Sequence, residues 1–384
     1  MLNGPDAARM KADLARLVAL NTENPPGREI EAAGFLAALL REAGLAVAID
    51  EYKPGRANVV ATLENGAGPV FAFNTHMDVV PAGAGWSGDP LALRERDGTL
   101  VGRGACDAKG PLAAMIEAIR MLHAARTSWR GTLLGVFVGD EEVASEGAKH
   151  YAAARPKIDY AVIGEPTENG IVIAHKGSLR PWVRIHGVAA HSGTPDAGEN
   201  AIYGAARLIA LVEAHHRVLR ERRHPLVGAA SLTITRALAG TADNVLPDRC
   251  DLLLDRRMIP GEDEDAVKAD LSALLARAAR ECGVRAEITA YKPTTGGATE
   301  TAADDPIVLA SLAASKRHGA KVTEPQGFQG GCDLVHFRAT GAKGTVIGPG
   351  SLALAHKPDE SVPIDEFVRA SLIYRDVALD MLRA

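Results

Sequence analysis

Two short clusters, Thr75-His76-Met77-Asp78 and Asp140-Glu141-Glu142, with Asp107 between them, carry the side chains a protein uses to hold divalent cations. His76 and Asp78 stand two apart at the end of the apolar run Val70-Phe71-Ala72-Phe73, so a strand points both to one face. Two more donors follow short β-like runs: Glu165 after Ala161-Val162-Ile163-Gly164, and His356 in Ala355-His356-Lys357-Pro358-Asp359-Glu360. A pair of ions roughly 3.5–4 Å apart needs a short shared bridge, which a carboxylate such as Asp107 supplies and an imidazole does not. His76 and Glu165 then complete one position, Glu142 and His356 the other. Nitrogen and oxygen donors without thiolates suit zinc, with cobalt or manganese as substitutes.

Charge supports that grouping. Three carboxylates and one hydroxide cancel two divalent cations, which leaves Glu141 free to take a proton from a bound water and return it to a leaving amine, as amide hydrolysis requires. Asp78 is expected to hydrogen-bond the far nitrogen of His76 and fix its tautomer. A lone H-x-D or E-E is weak, since acids adjoin often on solvated surfaces. The constellation is stronger, because each piece sits at a strand end beside glycine or proline. The periodicity itself does not assign Glu141 and Glu142 their separate roles.

The elements that must position these groups follow from apolar spacing. Residues 5–20, 29–42, 109–125 and 146–154 read as helices, the second ending at Gly44 as a helix cap would. Residues 45–50, 58–63, 70–75, 132–138 and 160–164 suit strands of a mostly buried sheet. Strands alternating with helices indicate a layered α/β domain, whose chemistry collects at strand ends. From about residue 178 the rhythm becomes strand 179–186, helix 199–221, strands 230–237 and 249–257, helix 262–281 and strand 284–291. That β-α-β-β-α-β order is a ferredoxin-like unit. After Pro293 the α/β texture returns, with helix 306–318, strand 345–347 and a terminal helix 364–382. We therefore expect an α/β fold with a mixed sheet in a catalytic domain of residues 1–177 and 293–384, interrupted by an inserted lid domain of residues 178–292.

At 384 residues the chain has room for two domains and a sizeable core. A 47% hydrophobic share is ordinary, and a net charge of -5 gives no electrostatic reason to expect nucleic acid or an anionic membrane. The opening Met1-Leu2-Asn3-Gly4-Pro5-Asp6 has no basic-then-apolar leader pattern, and no apolar stretch is long enough to span a bilayer. A cytoplasmic location is the expectation. Cys106, Cys250, Cys282 and Cys332 are dispersed, which suggests reduced thiols rather than a zinc knot or a disulfide framework.

The motifs Thr75-His76-Met77-Asp78-Val79-Val80-Pro81, Gly102-Arg103-Gly104-Ala105-Cys106-Asp107-Ala108-Lys109-Gly110, Gly139-Asp140-Glu141-Glu142, Gly164-Glu165-Pro166-Thr167 and Ala355-His356 occur in this order. Together they resemble the co-catalytic zinc family of acetylornithine deacetylases, succinyl-diaminopimelate desuccinylases, aminoacylases and glutamate carboxypeptidases. The likeness runs from the first helix to the last. It implies His76, Asp107, Glu142, Glu165 and His356 as ligands of two metal ions, Glu141 as general base, Asp78 as the residue that orients His76, and a non-proline cis peptide at Asp107-Ala108.

The insert resembles that family's lid and dimerisation domain. Gly187-Val188-Ala189-Ala190-His191-Ser192-Gly193-Thr194-Pro195 matches the motif whose histidine steadies the tetrahedral oxyanion, often from the partner subunit. From local sequence alone His191 reads more readily as a turn histidine between strand and helix; the motif match turns the balance toward the oxyanion role. Asn244, in Ala242-Asp243-Asn244-Val245-Leu246-Pro247, and Arg257, in Asp255-Arg256-Arg257-Met258, match positions that hold the substrate carboxylate; the plain alternative is two solvated strand arginines. In Gly327-Phe328-Gln329-Gly330-Gly331-Cys332-Asp333, the backbone amides of Gly330 and Gly331 match a substrate-side loop. The resemblance implies hydrolysis of an N-acyl amino acid by a homodimer joined through the lid. An exopeptidase acting on short peptides and a non-catalytic module that captures small acids or a protein are the rival readings.

Overall fold

The computed structural model describes residues 4–383, so part of the stretch read as lacking a leader, residues 1–3, lies outside the described residues. The chain divides into two compact units. One comprises Met1–Ile173, Glu300–Gly327 and Cys332–Ala384; the other comprises Ala174–Thr299 and Phe328–Gly331. The glycine-rich segment Phe328–Gly331 thus falls with the second unit, where the Lys176 N–H donates to the Phe328 carbonyl at 3.2 Å.

The larger unit is built on a mixed sheet, nine-stranded among the described residues. Seven of its strands run in the order Ala46–Lys53, Arg56–Asn65, Gly131–Val138, Val70–His76, Tyr160–Ile163, Lys343–Val346, Ile171–His175, and the short strands Thr299–Glu300 and Pro325–Phe328 complete it. The four strands from Gly131–Val138 to Lys343–Val346 are parallel to one another. Parallel strands are covered on both faces, which explains why residues 70–73 form an unbroken apolar run and why Val70–His76 is buried from Phe71 onward. One cover is the helix Lys109–Ala124, buried over nearly its whole circumference because Met115 and Ile119 reach the sheet beside Gly164 and Gly135 while the helix also packs on Ile364–Met381. Trp129 closes this core, its indole N–H donating to the Leu122 carbonyl at 2.9 Å. Gly44, expected to end the second helix, does so at φ +90, a conformation a Cβ would disfavour, and an added Cβ would also strike the His123 ring.

A strand end is where the chain leaves the ladder and can aim a side chain. All four parallel strands end on the same edge, with His76 paired to Val138, Asn74 to Ile163 and Ile163 to Val346 in register. The loops leaving that edge carry Asp140-Glu141-Glu142 and Glu165. A three-stranded sheet absent from the sequence reading, Ser361–Pro363 with Thr99–Val101 and Arg94–Arg96, ties the segment after His356 to the segment before Asp107. The Asp107–Ala108 peptide is cis, as the family resemblance implies.

The second unit contains the expected β-α-β-β-α-β order. Its antiparallel sheet runs Ser231–Ala239, Arg249–Met258, Gly177–His186, Ala286–Lys292. From Leu179 to His186 burial alternates residue by residue, and Leu179, Val183 and Ile185 pack with Leu252 and Leu254 against the helices Ala201–Leu219 and Glu264–Cys282. Both helices begin at capping side chains, Asn200 accepting from the Ile202 N–H at 2.8 Å and Asp263 from the Ala266 N–H at 2.9 Å. These caps place each helix start about two residues later than apolar spacing suggests. Among the described residues no helix is long and apolar enough to cross a membrane, and the four cysteines are free thiols.

Leu252 is wholly buried in the middle of this sheet. Leu252→Ala should cost about 2–5 kcal/mol within the second unit. Hydrogen–deuterium exchange should quicken across Gly177–His186 and Arg249–Met258 while Val70–His76 keeps its protection; unaltered exchange in the first two strands would contradict this packing.

Candidate metal centre

His76 is the last residue of its strand, and its two ring nitrogens have different duties. Nδ1 lies 2.9 Å from the main-chain oxygen of Asp78 and 3.6 Å from Asp78 Oδ1. A carbonyl accepts only, so Nδ1 keeps its proton; facing Asp107 without a metal, Nε2 is protonated as well, and loss of that second proton leaves the lone pair that ligates a metal. Nε2 lies 3.2 Å from Asp107 Oδ1 and 3.9 Å from Glu165 Oε1. On the other side, His356 Nε2 lies 3.2 Å from Asp107 Oδ2 and 3.0 Å from Glu142 Oε2. The two oxygens of Asp107 therefore face different imidazoles. Ligand atoms of His76, Asp107 and Glu142 lie within 4.8 Å of one another, and so do those of His76, Glu141 and Glu165.

Electrostatics match that crowding. Burial and the Glu165 charge push the Glu141 carboxyl up, and burial and Asp107 do the same to Glu165 and Glu142. Burial also works against ionising Asp107, yet the imidazoles of His356 and His76 hold it well below the usual carboxylate range. Hydrogen bonding to Asp107 and Glu142 in turn lifts His356 to about 10. Four buried acids facing two imidazoles is a concentration of negative charge that, without cations, the cluster relieves by holding protons. The donor set, imidazole nitrogen and carboxylate oxygen with no thiolate, and the divided Asp107 carboxylate fit a pair of divalent cations.

The Asp78 carboxylate has another task besides its approach to His76. Oδ1 accepts from the Glu141 N–H at 3.1 Å and Oδ2 from the Glu142 N–H at 3.3 Å, so this acid pins the main chain of the Glu141-Glu142 pair. The loop itself turns at Asp140, φ +70, whose carbonyl accepts from Ala144 and Ser145 at 3.1 and 2.6 Å. Glu142 Oε1 also accepts from the Val80 N–H at 3.3 Å.

Sequence reasoning missed the group that holds Asp107. Glu360 is fully buried, and its Oε1 accepts from the N–H groups of Cys106 and Asp107, both at 2.9 Å, while Oε2 pairs with the Arg103 guanidinium. Arg103 lies over the Trp86 ring and donates to the Pro81 and Ala82 carbonyls. One buried ion pair thus ties together the stretch after His76, the turn bearing Asp107 and the loop bearing His356. Burial and Asp107 push Glu360 up to about 7. The available signal was an acid four residues beyond His356 in a Pro-rich loop and an arginine between two glycines.

The remaining candidates belong to the second unit. His191 and Val245 form an isolated antiparallel bridge, and the Ser192 N–H donates to the Asn244 carbonyl at 2.9 Å, so the loops bearing His191 and Asn244 run side by side and both residues are exposed. The Gly193 N–H donates to His191 Nδ1 at 3.0 Å, which leaves the neutral ring with its proton on Nε2. Arg257 is partly exposed and bonded to Asp255 at 2.7 Å. Arg256, on the opposite face, is buried against Glu262. Gly331 lies against the Lys176 carbonyl, 3.2 Å from where a Cβ would stand, and Gly330 against the Phe328 ring.

Residues 72–380 match the profile of the peptidase family M20/M25/M40. The chain is 31% identical over 383 residues to an acetylornithine deacetylase of Myxococcus xanthus, covering 95% of each chain. It is 29% identical over 409 residues to a probable succinyl-diaminopimelate desuccinylase of Staphylococcus epidermidis, covering 98% of each. Among solved structures, the aminopeptidase PepT of Bacillus cereus superposes with a TM-score of 0.80 at 22% identity, over 98% of this chain and 99% of that one, a likeness of fold. With its motifs gathered on one sheet edge and most of its length matched by the profile, the chain belongs to the peptidase family M20/M25/M40, metallohydrolases that act on amide bonds.

Proposed function

We propose that this enzyme removes the acyl group from an N-acyl amino acid, with His76, Asp107 and Glu165 holding one divalent ion and His356, Asp107 and Glu142 the other. The observation that carries the ligand set is the Asp107 carboxylate turning one oxygen to each imidazole. Two divalent ions bound there, zinc by the donor chemistry with cobalt or manganese as substitutes, would acidify a shared water and polarise the amide carbonyl. Glu141 Oε accepts the proton of the attacking water and later passes it to the departing amine. The two Asp78 hydrogen bonds keep the main chain of that base in place, and the Asp78 carbonyl keeps the His76 tautomer. His191, with its proton on Nε2, donates to the oxyanion, a contribution of about 3 kcal/mol in a closed site. Asn244 and Arg257 receive the amino acid's carboxylate, with the amides of Gly330 and Gly331 lining the acyl side.

The acyl preference rests on the deacylase relatives that match over nearly the full chain. The fold likeness to an aminopeptidase supports one rival, an exopeptidase using the same centre on a short peptide. We further infer a cytoplasmic homodimer formed through the second unit. The free thiols support the compartment. Ile202, Tyr203, Ile209 and Val218, exposed along the helix Ala201–Leu219, support the dimer.

Initial rates on N-acetyl, N-succinyl and N-formyl amino acids and on unblocked dipeptides separate the two readings; a higher kcat/KM on dipeptides would remove the deacylase. Chelator treatment should abolish turnover, and zinc, cobalt or manganese should restore it. Glu141→Gln should lower kcat by about 10²–10⁴-fold with metal content, measured by atomic absorption, unchanged; undiminished turnover would remove the proposed base. Glu360→Gln should keep the far-ultraviolet spectrum and weaken metal binding by roughly 10–100-fold in a competition titration with a chromogenic chelator. Native affinity there would show that Asp107 is held without Glu360.

A further inference from the structure

Asn24 stands outside every motif so far described, in the segment Asn21-Thr22-Glu23-Asn24-Pro25-Pro26. The structure sets this segment against the residues that follow His76. Thr22 Oγ1 donates to the Met77 carbonyl at 2.7 Å, the Val79 N–H to the Thr22 carbonyl at 3.1 Å, and the Asn24 N–H to the Val79 carbonyl at 2.8 Å. The Asn24 side chain is buried, and both hydrogens of its amide are spent on carboxylates: Nδ2 donates to Asp78 Oδ2 at 2.9 Å and to Asp140 Oδ1 at 2.9 Å.

Those two acids are the two that shape the loop of the general base. Asp78 accepts from the main-chain N–H groups of Glu141 and Glu142, and Asp140 supplies the turn from which they depart. Asp140 is fixed in turn by Arg56 Nη2 at 2.8 Å and the Glu146 N–H at 3.3 Å, and Arg56 Nε also pairs with buried Glu29 at 2.7 Å. Two buried carboxylates sharing a neighbour repel unless a donor stands between them. A primary amide of this length supplies two N–H bonds without adding charge, whereas an aspartate would add a third repelling acid and a serine or threonine has one hydrogen to give.

We propose that Asn24 is a positioning residue for catalysis: by bridging Asp78 and Asp140 it sets the main chain of Glu141 and so the aim of the proton-transferring carboxylate. The inference rests on the reading of Glu141 as general base. It predicts a loss in kcat with substrate binding unchanged, because nothing Asn24 contacts is a substrate group of that reading; metal content is read alongside, since Asp78 Oδ2 also holds the Glu142 main chain.

The test compares Asn24→Ala and Asn24→Ser, each with native Glu141 and with Glu141→Ala, on the metal-loaded enzyme with its best N-acyl amino acid. Asn24→Ala should lower kcat by about 10–100-fold, leave KM within about twofold and keep the native metal content. Asn24→Ser, with one donor, should fall between that and the parent. In the Glu141→Ala background, Asn24→Ala should change the residual rate less than twofold, since the group it aims is gone. An equal loss in both backgrounds overturns the inference, as does a parent-like kcat. Loss of folded, metal-loaded protein in both Asn24 variants also overturns it, since the amide would then serve stability alone. Full turnover by Glu141→Ala itself removes the underlying reading, an outcome distinct from failure of the Asn24 variants alone.

Discussion

One carboxylate shared by two imidazoles is the constraint around which the larger unit is organised. Asp107 stays ionised in a buried place only because His76 and His356 face its two oxygens. It also directly precedes the cap of the helix Lys109–Ala124, whose N-terminal end bears partial positive charge. The approach of Glu142 and Glu165 to this acid concentrates carboxylates as a site for divalent cations would, and without cations it favours their protonated forms. The parallel strands provide the geometry, because their register brings three separate strand ends to one edge.

Around that carboxylate the chain uses acids as clamps on its own backbone. Glu360 holds two N–H groups beside Asp107, and Asp78 holds two beside Glu142. A charge-assisted hydrogen bond contributes about 1.5–3 kcal/mol, while desolvating a buried ion pair such as Arg103 with Glu360 costs several kcal/mol. These opposing magnitudes nearly cancel, so little of the role of the pair lies in net stability. What the pair supplies is direction, since both partners are buried and each Glu360 oxygen has its own donors.

The parts legible in the sequence were those with a local signature. The apolar runs at residues 70–73 and 133–138 announced two buried strands, and alternation broken by two amphipathic helices announced the second unit. The candidate donors His76, Glu142 and Glu165 stood out in the sequence because each follows such a run within a few residues. Glu360 and Arg103 were not, because their bonds span 254 and 257 residues and an acid in a loop looks solvated until its partners are known. Arg94–Arg96 was missed for a similar reason: three charged residues have no strand pattern, and only pairing with distant segments makes them one. For Asp78 the spacing correctly placed the residue beside His76, but the nearest acceptor to the ring proved to be its main-chain oxygen. Side-chain periodicity carries no information on that atom.

The order of the donors along the chain has a bearing on biosynthesis. His76, Asp107, Glu142 and Glu165 precede the second unit, and His356 follows it, as does Lys343–Val346, the outermost of the four parallel strands. The second unit has its own apolar core and a sheet completed within residues 177–292, so it can collapse on the ribosome before the larger unit has its full complement of strands. A nascent chain therefore spends the translation of well over a hundred residues with an acidic half-cage and an unpaired parallel edge, the stage at which a chaperone has most to shield.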